Sequence, residues 1–218
     1  MNLMFDSNYQ LGKFLEEMAS DSPVPAGACA AAASGAMGAA LLSMMGRLTI
    51  GKRGYEEQEE LMKELLRKSG ALTARLVQDS GADIQAYNSL MVALKLPRHS
   101  DSEKGARHRA IQSAWIQATK SPLAIAEDCL HVLALCSAAA EKGNASAASD
   151  VGVAALEARC GLEGAILSAR FNLSHVEDKN FVAQTLSQLA QMSGEGGKYA
   201  LQVQKLMEQH LDALRPLP

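Results

Sequence analysis

Between Ser22 and Gly46 the chain carries no charged residue and consists mainly of alanine, glycine and serine. A stretch of this length could cross a bilayer. Its small residues gain little on transfer to lipid, however, and they let neighbouring backbones come close, so a helix buried inside a protein is expected. Within it Gly27, Ala31, Gly35 and Ala39 recur at every fourth position, which sets them on one helix face. Two readings of that stripe stay open. It is either a surface for a close helix crossing or, at its start, a helix N-terminus open to an anion or a carbonyl.

The remainder reads as helix. Hydrophobic residues make up 48% of the 218 positions but aromatics only 4%, a balance that favours helices with small packed faces over strands. Leu11, Phe14, Leu15 and Met18 lie at helical spacing from Asn8 to Ala19, before Pro23 and Pro25 break the pattern. The charged run from Gly54 to Gly70 is a solvated helix face, acids first and bases later. Its pattern continues past Gly81, a possible kink, to Lys95-Leu96-Pro97. A further helix starts at Asp101 and ends or restarts at Ser121-Pro122. The next runs from Leu123 to Lys142 and is closed by Gly143-Asn144 as a left-handed cap. Ser149-Asp150 begins a helix to Leu173, and a last helix, Asp178 to Leu214, is loosened near Gly194-Glu195-Gly196-Gly197. The expected architecture is all-α: one domain over residues 1–218, a bundle of long antiparallel helices.

Charge and cysteine usage exclude several functions. With 21 basic and 24 acidic residues the net charge is −3, and no block of like charges marks a nucleic-acid or membrane-binding arm. Cys29, Cys129, Cys136 and Cys160 form no CxxC pair, so no metal is expected and reduced, buried thiols are. Cys129 and Cys136, seven apart on a helix, stand about 10 Å apart along its axis, too far for a disulfide. The start of the chain, with Asp6, Glu16 and Glu17, lacks the pattern of a signal peptide, and a cytoplasmic location is expected. Phosphate-loop, dinucleotide-binding and nucleophile-elbow motifs are missing.

One carboxylate stands out. Asp83 lies between Leu76-Val77 and Leu90-Met91-Val92, where burial would raise its pKa and suit it to acid/base work; a capping or ion-pairing acid is the plainer reading. Asp150 reads as a helix-start residue able to accept free backbone N–H groups. Arg107 and Arg109 could meet carboxylates of a ligand or of another helix.

Four segments resemble a known family. They are PVPAGACAAAASGAMGAALLSMMGRLT, DIQAYNSLMVALKLP, ARHRAIQSAWIQATKSPLAIAE and GNASAASDVGVAALEARCGLEGAILSARFNL. In this order they resemble the cyclodeaminase domain of formiminotransferase-cyclodeaminase and the stand-alone bacterial methenyltetrahydrofolate cyclohydrolases. The resemblance implies a helical homodimer and a folate substrate with no further cofactor. It also implies a site near the glycine loop and the Asp83 helix, with Asp83 and Asp150 catalytic. Gly27, Cys29, Tyr87, Lys95, Arg107, Arg109 and Asn144 would bind substrate, the cations meeting its glutamate carboxylates. Hydrolysis of 5,10-methenyltetrahydrofolate to 10-formyltetrahydrofolate is the first expectation, and release of ammonia from formiminotetrahydrofolate the second. Where relatives read Pro-x-Pro-Gly-Gly-Gly-Ser, this chain reads Pro23-Val24-Pro25-Ala26-Gly27-Ala28-Cys29. The added Cβ atoms disfavour positive φ and close backbone approach, which is the basis of a third expectation, a non-catalytic scaffold that kept the fold.

Overall fold

The structure is a computed structural model, and it describes residues 10–214. Six α-helices follow one another among these residues: α1 Leu11–Met18, α2 Gly27–Thr49, α3 Glu59–Leu94, α4 Asp101–Lys142, α5 Ala148–Leu173 and α6 Lys179–Leu214. Short 3-10 turns, Glu56–Gln58 and Ala145–Ala147, precede α3 and α5. No strand occurs among the described residues. The expected start of the first helix at Asn8 falls outside them.

α2 is the centre of the bundle and packs against α3, α4 and α5, while α6 covers α4 and α5. Leu42 and Met45 of α2, Leu76 of α3, Ile125 and Leu133 of α4 and Leu162 of α5 are fully buried in one continuous core. α2 and α4 are long and apolar enough to cross a membrane by composition, yet these are the helices that supply that core. α2 and α5 run antiparallel, with Gly27 beside Ser168 and Gly38 against Ala154 and Ala158. Their approach is close because the small-residue stripe meets glycine: a Cβ on Gly161 would stand 2.7 Å from the Ala31 carbonyl oxygen and 3.0 Å from the Gly35 nitrogen. No real Cβ fits there.

α4 begins with a capping box, in which Ser100 accepts from Glu103 N at 3.2 Å and Glu103 accepts from Ser100 N at 2.9 Å. Contrary to the expectation of a break, it runs unbroken through Pro122 for 42 residues. Proline has no N–H for the carbonyl four residues earlier, that of Ala118, and normally this cost ends or kinks a helix. Here Asn172 Nδ2 of α5 donates to Ala118 O at 2.7 Å and replaces the missing donor.

Other expected breaks are absent for related reasons. α3 continues through Gly81. α6 continues through Gly194–Gly197, where Gly196 serves a close contact: a Cβ would meet Leu162 Cδ2 and Leu133 Cδ1. Gly143 is not in the left-handed region, with φ −78° and ψ 175°; a Cβ there would press on Met45 Sδ at 2.6 Å. Ser149 and Asp150 lie inside the first turn of α5, whose start has no side-chain cap; the capping oxygen of the preceding 3-10 turn belongs to Asn144, which accepts from Ser146 N at 3.0 Å. Three cysteines are buried as expected, but Cys160 is exposed.

Gly161→Ala should therefore destabilise the protein by about 2–3 kcal/mol, an overpacking cost against backbone that cannot yield. Gly70→Ala, at a position of α3 with nothing within 4 Å of its Cβ, should stabilise it by roughly 0.5–1 kcal/mol. Urea unfolding of both variants checks the pair.

Candidate active site

A cavity of about 580 Å³ opens where the N-terminus of α2, the second half of α3, the middle of α4 and the C-terminal part of α5 meet. Asp83 and Tyr87, one turn apart on α3, share its lining with Leu90, Met91 and Leu94. Trp115 and Ala118 of α4 and Leu167, Ser168, Phe171 and Asn172 of α5 form the facing walls. The lip is Pro23, Val24, Ala26, Gly27 and Ala28. The site is an apolar, aromatic-walled slot with one ionisable carboxyl, no lysine or arginine, and a few neutral polar groups.

Burial in this slot pushes the Asp83 carboxyl up from 3.8 to about 6, because the ionised form loses hydration. Two neighbours act the other way, first the Ser121 hydroxyl and then the Cys29 thiol, both favouring the carboxylate. Cys29 Sγ lies 3.9 Å from Asp83 Oδ2 and 3.6 Å from Ser80 O. Its thiol is itself raised, chiefly by burial. Cys29 is wholly buried beside Phe14 and Ile84, so it stands behind the carboxylate instead of facing the cavity. Ser121 Oγ is buried with no hydrogen-bond partner of good geometry.

The far wall is braced from outside. His175, just beyond α5, stacks on Trp115 with ring centroids 4.2 Å apart and meets Phe171 edge-on at 5.6 Å. Gln112 ties this turn to α4, donating to His175 O at 3.2 Å and accepting from Glu177 N at 2.9 Å. The two aromatic walls thus have fixed planes, suited to a flat ring.

The family profile described as Formiminotransferase-cyclodeaminase matches residues 10–191. The chain belongs to this family. It is 42% identical over 190 residues to a methenyltetrahydrofolate cyclohydrolase of Methylorubrum extorquens, a match covering 87% of this chain and 91% of that protein. It is 35% identical over 204 residues to formimidoyltransferase-cyclodeaminase of Sus scrofa, covering 91% of this chain but 37% of that longer protein. The fold matches the crystal structure of formiminotetrahydrofolate cyclodeaminase from Thermotoga maritima with a TM-score of 0.85, at 24% identity and over 94% of this chain and 98% of that one.

Within this member the glycine loop has kept its space. No non-glycine residue in the described chain has positive φ, and Ala26 is extended at φ −131° and ψ −158°. Alanine is therefore accommodated without strain. Gly27 leaves the cavity lip open, since even a Cβ there would only touch Ser168 Oγ at 3.7 Å.

Of the residues singled out from the sequence, Asp83, Tyr87 and Gly27 meet at the cavity, with Cys29 behind them. The others lie elsewhere. Asp150 is in the first turn of α5, about 27 Å along the helix from Ser168 at 1.5 Å per residue. Asn144 has its polar groups engaged at that same far end: Oδ1 accepts from Lys52 Nζ at 2.6 Å, Nδ2 donates to Leu48 O at 3.2 Å, and its N donates to Thr49 Oγ1 at 3.2 Å. Arg107 donates to Leu94 O at 3.0 Å and so closes the C-terminus of α3 at the cavity rim. Lys95 follows it, exposed, and Arg109 is exposed on α4.

Sequence reasoning missed Trp115, Phe171, Asn172 and Ser121. The one tryptophan in the chain and a proline inside a helical pattern were the available signals. It also missed Asp128, fully buried on α4, ion-paired with Arg75 and off the cavity. Burial raises the Asp128 carboxyl, against the Arg75 guanidinium.

Because the Asp83 carboxyl is raised on folding, the folded state binds its proton more tightly than the unfolded chain does. The charged form then costs stability, a penalty that is absent below 3.8, grows to about 6 and is complete above. Asp83→Asn should accordingly stabilise the fold at pH 8 by on the order of 1–2 kcal/mol after allowing for partial solvent access, read as a higher Tm, and leave Tm unchanged below pH 4. Thermal melts of both proteins across this range test the sign.

Proposed function

We propose that the protein hydrolyses 5,10-methenyltetrahydrofolate to 10-formyltetrahydrofolate. The observation that carries the reading is the single carboxyl, poised at about 6, in an otherwise uncharged aromatic slot. The bridging carbon of the substrate is part of an amidinium-like cation. A carboxylate beside it stabilises that charge in a dry site and is matched to proton transfer near neutral pH. In the proposed reaction water adds to the bridging carbon while Asp83 takes its proton. The bond from that carbon to N5 then breaks as Asp83 returns the proton to N5. The added hydroxyl releases its remaining proton to solvent as it becomes the carbonyl of the formyl group on N10, so the positive charge of the substrate leaves as that proton. Water and one carboxyl complete this balance, so the proposal requires no resident cofactor. A cytoplasmic setting without nucleic acid or membrane suits a soluble folate substrate.

Cyclodeamination of formiminotetrahydrofolate is the second reading, favoured by the similarity to the pig and Thermotoga maritima proteins. The cyclohydrolase is placed first because its relative is 42% identical over nearly the whole of both chains, against 24% for the Thermotoga maritima cyclodeaminase. The open lip at Gly27 and the unstrained Ala26 count against the third, a scaffold that has lost its site.

The test is the loss of the ultraviolet absorbance of methenyltetrahydrofolate above the spontaneous rate. We expect turnover whose kcat/KM rises with pH through about 6 and levels off above it, since Asp83 must be ionised in the free enzyme. Asp83→Asn should lower kcat by roughly a hundredfold or more. Turnover within tenfold of the wild type would overturn the assignment, and no turnover on either folate would favour the scaffold reading.

We further propose that the protein is a homodimer joined through α2 and α5. Leu156, Leu167 and Phe171 of α5 are 69%, 70% and 67% exposed, and Val153 of α5 and Met37, Met44 and Leu48 of α2 are further exposed apolar residues of these two helices. At roughly 200 Å² for a large side chain these exposed parts amount to on the order of 700 Å², near the about 800 Å² per partner of a stable interface. Pairing α5 with α5 about a twofold axis near its midpoint sets the first turn of one copy beside the last turns of the other. That is the arrangement in which Asp150 could serve the Asp83 cavity, as a residue contributed across the dimer. Light scattering after size-exclusion chromatography should find a dimer for the wild type and a monomer for Leu156→Glu; a monomeric wild type would remove this route for Asp150.

A further inference from the structure

We infer that Asn172 is a substrate-orienting residue whose side-chain oxygen accepts a hydrogen bond from an N–H of the folate ring. The inference rests on the proposed folate reading of the cavity. Its basis is the proline in α4. Pro122 leaves the Ala118 carbonyl without an intrahelical donor, and Asn172 Nδ2 supplies one at 2.7 Å. A carbonyl can only accept, so this bond fixes which end of the amide is nitrogen. The oxygen Oδ1 is thereby turned away from Ala118. Asn172 lies on the cavity wall between Phe171 and the face of α4 that carries Trp115 and Ala118, and no protein donor reaches Oδ1 among the described residues. The cavity thus holds a neutral acceptor, locked in orientation by a backbone carbonyl, next to aromatic walls and across from Asp83.

Such an acceptor reads a planar ring that carries N–H donors, as the 2-amino-4-oxo pyrimidine of a folate does. It leaves the cationic carbon to the carboxylate. The two polar elements divide the substrate: Asn172 sets the rotation of the ring within the slot, and Asp83 meets the reacting atom. A fixed acceptor that a wrong ligand leaves unpaired discriminates more sharply than the apolar walls alone.

The experiment must separate orientation of the substrate from support of the helix, and the proline makes that possible. Pro122→Ala gives Ala118 O a backbone donor, so that Asn172 is no longer needed for it. Four proteins are compared for Tm, KM and kcat on methenyltetrahydrofolate: Pro122→Ala alone, Asn172→Leu alone, and Asn172→Leu and Asn172→Asp each combined with Pro122→Ala. Asn172→Leu alone should melt lower and bind poorly. With Pro122→Ala its Tm should recover to that of the Pro122→Ala protein while KM stays raised by about tenfold or more, the loss of one well-placed hydrogen bond. Asn172→Asp with Pro122→Ala keeps the acceptor and should hold KM within about threefold. If the leucine double variant regains KM together with Tm, Asn172 merely patches the helix and the inference falls. A double variant that stays destabilised overturns it as well, because Asn172 would then do more in the fold than replace one donor. Failure of the folate reading itself is recognised earlier, in a wild type that neither binds nor consumes either folate.

Discussion

The arrangement of the bundle depends on one contact, the crossing of α2 over α5 at glycine-to-backbone distance. A Cβ at Gly161 would come within 2.7 Å of the Ala31 carbonyl, so no larger residue permits the same approach. Such contacts add dispersion over a long, flat interface where bulky side chains would hold the helices apart. The closeness also decides where space is left. With α2 and α5 tight along their length, the opening appears at the end where α2 begins and where Pro23, Val24 and Ala26 lead into it. There Asp83 of α3 reaches the cavity between them.

Asp83 is held at a cost to the fold. A carboxyl raised from 3.8 to about 6 is ionised at neutral pH in surroundings that penalise its charge. The neighbours that favour the charge, Ser121 and Cys29, only partly offset the penalty. A cation arriving in the slot would offset much more of it, so the same physical term that weakens the empty protein strengthens binding of a positively charged ligand. Asp128 makes an instructive contrast. It is buried too, but a fixed cation, Arg75, is already beside it and offsets part of the cost of its charge, although burial still raises the carboxyl. Two buried acids therefore differ in kind by whether a fixed cation accompanies them.

The helical architecture was legible because the signals behind it are local: helical spacing, capping residues and a charge-free run of small side chains. Where expectation failed, the cause was tertiary in each case. Pro122 reads as a break because within α4 the Ala118 carbonyl has no donor, and the donor comes from Asn172, 54 residues away. Gly196 reads as a loosened helix because sequence does not reveal the Leu162 side chain against it. Asp83 was visible as an acid amid apolar neighbours, and its partner Cys29 through the family loop. Trp115, Phe171 and Asn172 were not, since their common feature is meeting at one cavity from two helices. Asn144 was visible as a motif but not as what it is, a joint between α2 and the turn before α5.

The thiol in the loop shows how a departure from a family pattern can leave the chemistry in place. A cysteine donates more weakly than a serine and over a longer distance, 3.9 Å to Asp83 Oδ2 here. It therefore holds the Asp83 carboxyl down less than a hydroxyl would. The result is a carboxyl that stays protonated to a higher pH, more of it available as a proton donor near neutrality, and whose carboxylate is the stronger base once formed. Ala26 and Ala28 change little by comparison, because Ala26 is extended and Ala28 sits in the first turn of α2, and neither needs the left-handed region that glycine alone enters readily. In the proposed mechanism the substitution that bears on reactivity is thus the one hidden behind the cavity, acting through the proton affinity of Asp83.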